Sequence, residues 1–355
     1  MSQKQYLSTR TAGSKPHGPA FSAKHDRNPS RALSARKDGG RRPGVNWDKP
    51  NVVPAKRADE LILSLAGHLV PLTNLEKVWF PATRTTKRQV LAYYRKIAPV
   101  ILPHLRGRPL TLKRYPHGVE GESFYEKRSP AHKPDWVGTI AMRGIRFCAV
   151  DTIADLLWVV NVASIEIHPY LMTKDALEKP RVMVFDLDPG EGARLGECAK
   201  VALLIRKRLE ADGLHSFPKT SGSKGLQVYV PLNPRANESL TFDATKAYSR
   251  KIARTLARSH PDLVVHDMKK SLRAGRVLID WSQNDQAKTT VAPYSMRATA
   301  SPRVSTPLRW EEVSRIARAR KTERFAFGPK EVLSRIAEFG DLYHPVLTLR
   351  QCLPR

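Results

Sequence analysis

The stretch of this chain best suited to chemistry is Arg181 to Gly190, RVMVFDLDPG. Val182-Met183-Val184-Phe185 reads as a buried strand that ends in Asp186-Leu187-Asp188 and is stopped by Pro189-Gly190. Side chains at i and i+2 of a strand share a face, so Asp186 and Asp188 project together while Leu187 turns into the core. Two carboxylates held that close repel each other and are costly to desolvate unless a cation lies between them. Hard oxygen donors of this kind suit Mg²⁺ or Mn²⁺, with substrate phosphates completing the shell. Taken alone, the triplet fits two solvated aspartates at a strand end equally.

Two other stretches add to it. Residues 217–232, FPKTSGSKGLQVYVPL, read as a strand, a Ser/Gly-rich turn and a second strand. Glycines let backbone approach a ligand, hydroxyls and N–H groups donate, and Lys224 supplies charge, as a phosphate-binding turn requires. A plain hairpin turn fits too, and the Walker A spacing is absent. Arg276 to Trp281 reads as a further strand presenting Asp280, with Arg273 upstream and Lys288 and Arg297 downstream. Three carboxylates binding two divalent ions form the usual apparatus of nucleotidyl transfer. One ion lowers the pKa of an attacking 3′-hydroxyl and the other holds the triphosphate. Lysine and arginine then neutralise the charge on the transferring phosphate.

The elements that must position these groups are legible from pattern. Residues 1–58 carry few large apolar residues and read as a disordered basic tail, with Arg36-Lys37 and Arg41-Arg42 offering nonspecific phosphate affinity. The ordered domain spans 59–345, and 346–355 form a C-terminal tail. Thr85 or Thr86 caps a helix over 87–105 with Val90, Tyr93, Tyr94 and Ile97 on one face, and Pro99 and Pro103 limit or kink its end. Leu110–Arg114 and Ser123–Lys127 read as a hairpin carrying Lys113, Phe124 and Tyr125, and 140–150 as another. Asp151 opens an apolar helix through DTIADLLWVVNVASIEIHP that ends at His168. Helices over 195–214, 241–259, 310–320 and 329–339 complete the pattern. Single lysines such as Lys77, Lys87 and Lys113 are ordinarily just solubilising, and a lone His168 is ordinarily structural.

The 355 residues carry a formal charge of +28, and the pI near 10.3 points first to nucleic acid and second to an anionic membrane surface. Three scattered cysteines make no disulfide framework or zinc cluster, which fits a reducing cytoplasm. No apolar run reaches transmembrane length and no signal-peptide core opens the chain. The expectation is a cytoplasmic, nucleoid-associated protein with no membrane partner.

From about Leu72 to Asp341 the chain resembles the polymerase domain of bacterial ligase D, of the archaeo-eukaryotic primase superfamily. The strings that carry the resemblance are LTNLEKVWFP, YYRKIAPVILPHLRGRPLTLKRYPHG, FYEKRSP, EIHP, VFDLDPGEG, TSGSKGL, KSLRAGRVLIDWSQN, KTTVAPYS and STPLRW, in that order. It implies a mixed α/β fold whose catalytic cleft lies between two β-sheet modules flanked by helices. It implies that Asp186, Asp188 and Asp280 bind two Mn²⁺ or Mg²⁺ ions. By the same resemblance His168, Ser221, Lys224, Arg273 and Arg297 contact the nucleoside triphosphate. Lys77, Lys87 and Lys113 match a pocket for the downstream 5′-phosphate, and Phe124 a base-stacking aromatic, with Tyr125 where a second phenylalanine is common. Gln227 replaces the histidine that usually ends the family's SGSKGLH turn, which predicts weaker nucleotide binding or altered nucleotide choice.

The implied function is template-directed addition of ribo- or deoxynucleotides to a 3′-hydroxyl at 5′-phosphorylated gaps or double-strand-break ends. Primer-independent priming and non-catalytic binding of 5′-phosphorylated ends are the alternatives. No K-x-D-G adenylation motif and no histidine-rich phosphoesterase segment is present. The expectation is therefore a stand-alone polymerase served by a separate ATP-dependent DNA ligase, with Ku as a further candidate partner.

Overall fold

Three short strands open the part of the chain that the computed structural model describes, residues 52–53 and 59–354. They are β1 (Val52–Val53), β2 (Leu61–Leu65) and β3 (His68–Leu72), paired antiparallel in that order. β1 falls inside the stretch expected to be disordered, and the rest of that stretch up to Ala58 lies outside the described residues. A ribbon of β4 (Val78–Phe80) and β5 (Thr85–Thr86) leads into α1 (Lys87–Leu105). Thr86 caps α1 in a reciprocal capping box with Gln89, so two backbone donors that the first turn leaves open are satisfied. The helix runs through both Pro99 and Pro103. Its buried stripe, including Val90, Tyr94, Ile97, Ile101 and Leu105, outweighs the two lost backbone bonds.

The first large sheet is antiparallel and ordered β10-β6-β9-β8, with β7 also on β6. It contains β6 (Leu110–Arg114), β7 (Phe124–Glu126), β8 (Thr139–Met142), β9 (Ile145–Cys148) and β10 (Ser164–Pro169). Between β9 and β10 lies α2 (Ile153–Asn161), capped by Thr152 with Asp155. Here the sequence reading needs correction. The apolar run does not stay helical to His168: it leaves the helix after Asn161, turns at Ala163 with φ of 72°, and re-enters as β10. A strand buried on every residue carries no alternation to tell it from a buried helix.

The second large sheet is ordered β12-β13-β11-β15-β14. It contains β11 (Val182–Pro189), β12 (Phe217–Thr220), β13 (Leu226–Pro231), β14 (Val264–Val265) and β15 (Val277–Asp280), antiparallel except for β14 beside β15. Its outer face is covered by α3 (Leu195–Ala211), α4 (Phe242–Ser259) and α5 (Trp310–Arg318), whose apolar residues form one core with Met183, Phe185, Leu187, Val228 and Ile279. The first sheet shares a separate core with α1, α2, β2 and β3. A third cluster, with Phe147 and Tyr170 on one side and Val182, Val184 and Tyr229 on the other, joins the two sheets.

A strap over residues 289–308 stitches the sheets together and contains the ribbon β16 (Met296–Arg297) and β17 (Arg303–Val304). Ala292 donates to the Ile167 carbonyl of the first sheet, and Thr220 of the second donates to the Thr306 carbonyl. The chain closes with α6 (Pro329–Phe339) and α7 (His344–Thr348). The stretch set apart as a tail therefore begins inside α7, and Gln351 beyond it binds His215 and the Pro231 carbonyl. Among the described residues no helix is long and apolar enough to cross a membrane.

Candidate active site

One face of β11 changes character along its length. Val182 and Val184 point into the cluster between the sheets; two and four residues on, the same face presents Asp186 and Asp188. On the other face Met183, Phe185 and Leu187 are fully buried against α3 and α4. Asp186 is in register with Asp280 on β15 and with Gln227 on β13, and Gln227 with Lys219 on β12. Lys219, Gln227, Asp186 and Asp280 therefore form a row across four strands.

That row is electrostatically tense. Burial, then the Asp188 charge and the Asp280 charge, push the Asp186 carboxyl far above the usual carboxylate range, against a hydrogen bond from Gln227. Asp188 is raised by the protein that shields it and by Asp280, and held back by Arg273 and Arg297. Burial drives Lys219 well below its ordinary value, against the pull of Asp186. Its ammonium donates to Ser305 Oγ at 2.6 Å and lies 5.4 Å from the Tyr229 ring centre. The Gln227 amide N–H must face Asp186, which leaves its Oε1 buried with no partner among the described residues.

The Ser/Gly turn folds over this row. Ser221 Oγ accepts from the backbone N–H of Ser223 and Gly225, closing the loop on itself. A Cβ at Gly225 would stand 2.0 Å from the Leu187 carbonyl oxygen, so only glycine lets the turn lie against the DxD strand. Gly190 plays the same part for the Arg273 segment, whose carbonyl oxygen would be 1.8 Å from a Cβ.

Facing the turn across the cleft is a hub that sequence reasoning missed. Glu166, 2% exposed, takes bonds from His168 Nε2 at 3.0 Å, Tyr115 Oη at 2.8 Å and the Ala298 N–H at 3.2 Å. Arg297 Nε stands 3.0 Å from Glu166 Oε2, and its guanidinium donates to the Ser221 carbonyl. Burial alone would raise Glu166; the His168 hydrogen bond and the Arg297, His168 and Lys113 charges hold it down at about 2. Burial lowers the His168 pKa in spite of that carboxylate. The signal was available: Glu166 and His168 are two apart in EIHP, the spacing that singles out Asp186 and Asp188.

A cleft of about 580 Å³ gathers most of the expected nucleotide positions: His168, Asp186, Asp188, Ser221, Lys224, Gln227 and Arg297, with Tyr125 at its wall. Asp280 and Arg273 lie outside that lining. Asp280 is in register beside Asp186, its Oδ1 accepting from Ser282 N–H and Oγ, and Arg273 donates to the Met268 carbonyl. Lys77 and Lys87 are neighbours, joined by the Lys87 N–H to Lys77 carbonyl bond. Lys87 is mostly buried with its ammonium 5.7 Å from the Trp79 ring centre, and burial and Lys77 lower its pKa to about 8. Lys113 lies 5.3 Å from the ring centres of both Tyr115 and Tyr125. Phe124 and Tyr125 point to opposite faces of the first sheet: Phe124 meets Arg114, and Tyr125 meets His168 edge to face at 5.8 Å.

The donor set fits hard divalent cations in kind: clustered carboxylates, two of which, Asp186 and Asp188, have pKa values raised first by burial and then by neighbouring carboxylate charge. Among the described residues, no three His, Cys, Asp or Glu side chains already converge on one ion position.

Clustered carboxylates opposed by a basic Ser/Gly turn line one cleft of a mixed α/β fold built on two sheets backed by helices. The sequence pattern of the family described as "LigD, primase-polymerase domain" matches residues 86–343. The chain is 41% identical over 283 residues to the multifunctional non-homologous end joining protein LigD of Mycolicibacterium smegmatis, covering 78% of this chain and 36% of that protein. It is 31% identical over 242 residues to the bifunctional LigD of Bacillus subtilis, covering 68% and 39%. Among solved structures, the polymerase domain of Mycobacterium tuberculosis ligase D in complex with DNA superposes with a TM-score of 0.70 at 38% identity, covering 79% of this chain and 98% of that one. The chain belongs to the LigD primase-polymerase domain family. It spans little more than a third of the length of these curated relatives.

Proposed function

We propose that this chain is a template-directed nucleotidyltransferase of DNA repair, adding ribo- or deoxynucleotides to a 3′-hydroxyl at 5′-phosphorylated gaps or double-strand-break ends. The observation that carries the reading is the register of Asp186 with Asp280, with Asp188 on the same face, opposite Lys224 and Arg297 across one cleft. Asp186, Asp188 and Asp280 would hold two Mn²⁺ or Mg²⁺ ions, which when bound activate the attacking hydroxyl and stabilise the leaving pyrophosphate. Lys224, Arg297 and the Ser221 hydroxyl bind the triphosphate, and Arg273 screens Asp188. His168, bonded to Glu166 and with its pKa lowered by burial, is a positioned hydrogen-bonding group at the nucleotide. Phe124 and Tyr125 offer ring faces for base stacking, Tyr125 at the cleft wall, and Lys77, Lys87 and Lys113 are the site for the downstream 5′-phosphate.

Sealing then falls to an ATP-dependent DNA ligase, with Ku as candidate partner, in the cytoplasm at the nucleoid. The LigD relatives, non-homologous end joining proteins, support this reading. The test is extension on one- and two-nucleotide gaps with either a 5′-phosphate or a 5′-hydroxyl downstream, beside a single-stranded template without primer. Phosphate-stimulated gap filling supports the reading. Product on the primerless template would favour a primase, and phosphate-dependent binding without extension would favour an end-binding protein.

A further inference from the structure

On α4, between Ala244 and Ser259, there are five basic side chains and no acidic one. Lys246 is engaged with Asp285 at 2.7 Å. Arg250, Arg254 and Arg258 follow at intervals of four residues, about 6 Å of helix axis each, and all three are exposed, as is Lys251. Among the described residues none of the three arginines has a carboxylate partner within ion-pair distance. The contrast lies next door on α3, where Arg206 pairs with Glu210 at 2.6 Å, Arg208 with Asp212 at 2.8 Å and Lys200 with Glu197 at 3.5 Å. Like charges four apart on a helix oppose its formation, yet α4 keeps three, and their charge reaches His266 just beyond β14, whose pKa burial and then the three arginines lower against Asp267.

The stripe is also held in place. Arg250 lies over the Trp281 ring at 4.8 Å, and the Trp281 indole donates to the His266 carbonyl. The opposite side of α4, Ile252, Ala253 and Leu256, is buried with Phe185, Leu187 and Ile279 on the sheet face that turns away from Asp186. The stripe therefore stands on the far side of a sheet from the carboxylates.

We infer that the Arg250–Arg254–Arg258 face of α4 is a second, non-catalytic site for a nucleic-acid backbone, separate from whatever the cleft holds. Guanidinium groups bind phosphate oxygens bidentately, and exposed unpaired ones release condensed counterions when they do so. The inference goes beyond the polymerase reading and does not need the chain to be catalytic.

The test is binding of the full chain to blunt duplex DNA across a salt series, without metal or nucleotide. Each phosphate contact contributes about 0.9 to the slope of log affinity against log salt. Arg250→Gln/Arg254→Gln/Arg258→Gln should make that slope shallower by roughly 2 to 3, and Arg254→Gln/Arg258→Gln, which spares the Trp281 stack, by roughly 1 to 2. Arg206→Gln/Arg208→Gln on α3 should leave it unchanged. Asp186→Ala should keep the stripe-dependent slope while losing extension, which separates this site from the catalytic reading. An unchanged slope in both α4 variants would overturn the inference. Loss of binding to poly-glutamate with DNA binding intact would overturn it in favour of an acidic protein partner.

Discussion

Asp186 and Asp280 are direct cross-strand partners on β11 and β15, two carboxylates facing each other with Asp188 alongside. Like charges placed directly opposite on a sheet cost stability, on the order of 0.2–1 kcal/mol per pair. Asp186→Asn should therefore raise the midpoint of thermal unfolding of the metal-free protein while removing its activity. Mn²⁺ should raise the midpoint of the wild type and have little effect on Asp186→Asn. A metal-free variant less stable than the wild type would argue that the carboxylates are structural.

Glu166 is the hinge of the basic side of the cleft, because it holds both His168 and Arg297. Glu166→Gln leaves Arg297 and Lys113 without their counter-charge. The expected outcome is a nucleotide KM raised about tenfold, equivalent to about 1.4 kcal/mol, with a smaller change in kcat. Burying unpaired charge should also destabilise the fold by a few kcal/mol in denaturant titration.

The same carboxylate sets an acid limit. Its pKa is near 2 in the folded chain against an ordinary value of 4.5. The stability it contributes is therefore complete above about pH 4.5 and is lost as pH falls toward 2. Glu166→Gln should flatten that part of the stability–pH curve.

Lys87 makes the opposite kind of prediction. With a pKa near 8, its ammonium is charged at pH 7 and mostly neutral at pH 9. The preference for 5′-phosphorylated over 5′-hydroxyl DNA should fall across that range. Lys87→Arg, which stays charged, should hold it level. A preference independent of pH in the wild type would remove Lys87 from the phosphate site.

Gln227→His tests the departure from the family's usual turn. An imidazole in register with Asp186 can take up a positive charge that the amide cannot. The nucleotide KM should drop several-fold, or the ratio of ribo- to deoxynucleotide use should change. Identical kinetics in both forms would show that the substitution has no bearing on the nucleotide.

Much of this arrangement is legible in the sequence because its signals are local. Alternation around Asp186-Leu187-Asp188 and the Thr86 cap each act within a few residues, and β11 and α1 follow them. What escapes is set by pairing between distant strands. β10 is buried on both faces, so nothing in its residues separates it from the end of α2. Lys219 gains meaning only once β12 is laid beside β13 in register with Gln227. The surroundings of Lys113 likewise follow from β6 lying between β7 and β10, which makes Tyr125 and Glu166 its cross-strand neighbours.

The most direct measurement of the central claim is single-nucleotide resolution of product on a 5′-phosphorylated one-nucleotide gap with Mn²⁺, comparing the wild type with Asp186→Asn and Asp280→Asn. The account predicts one templated nucleotide added by the wild type and a loss of at least about a hundredfold in both variants. Extension that survives either substitution, or a wild type that binds the gap and adds nothing, would contradict it.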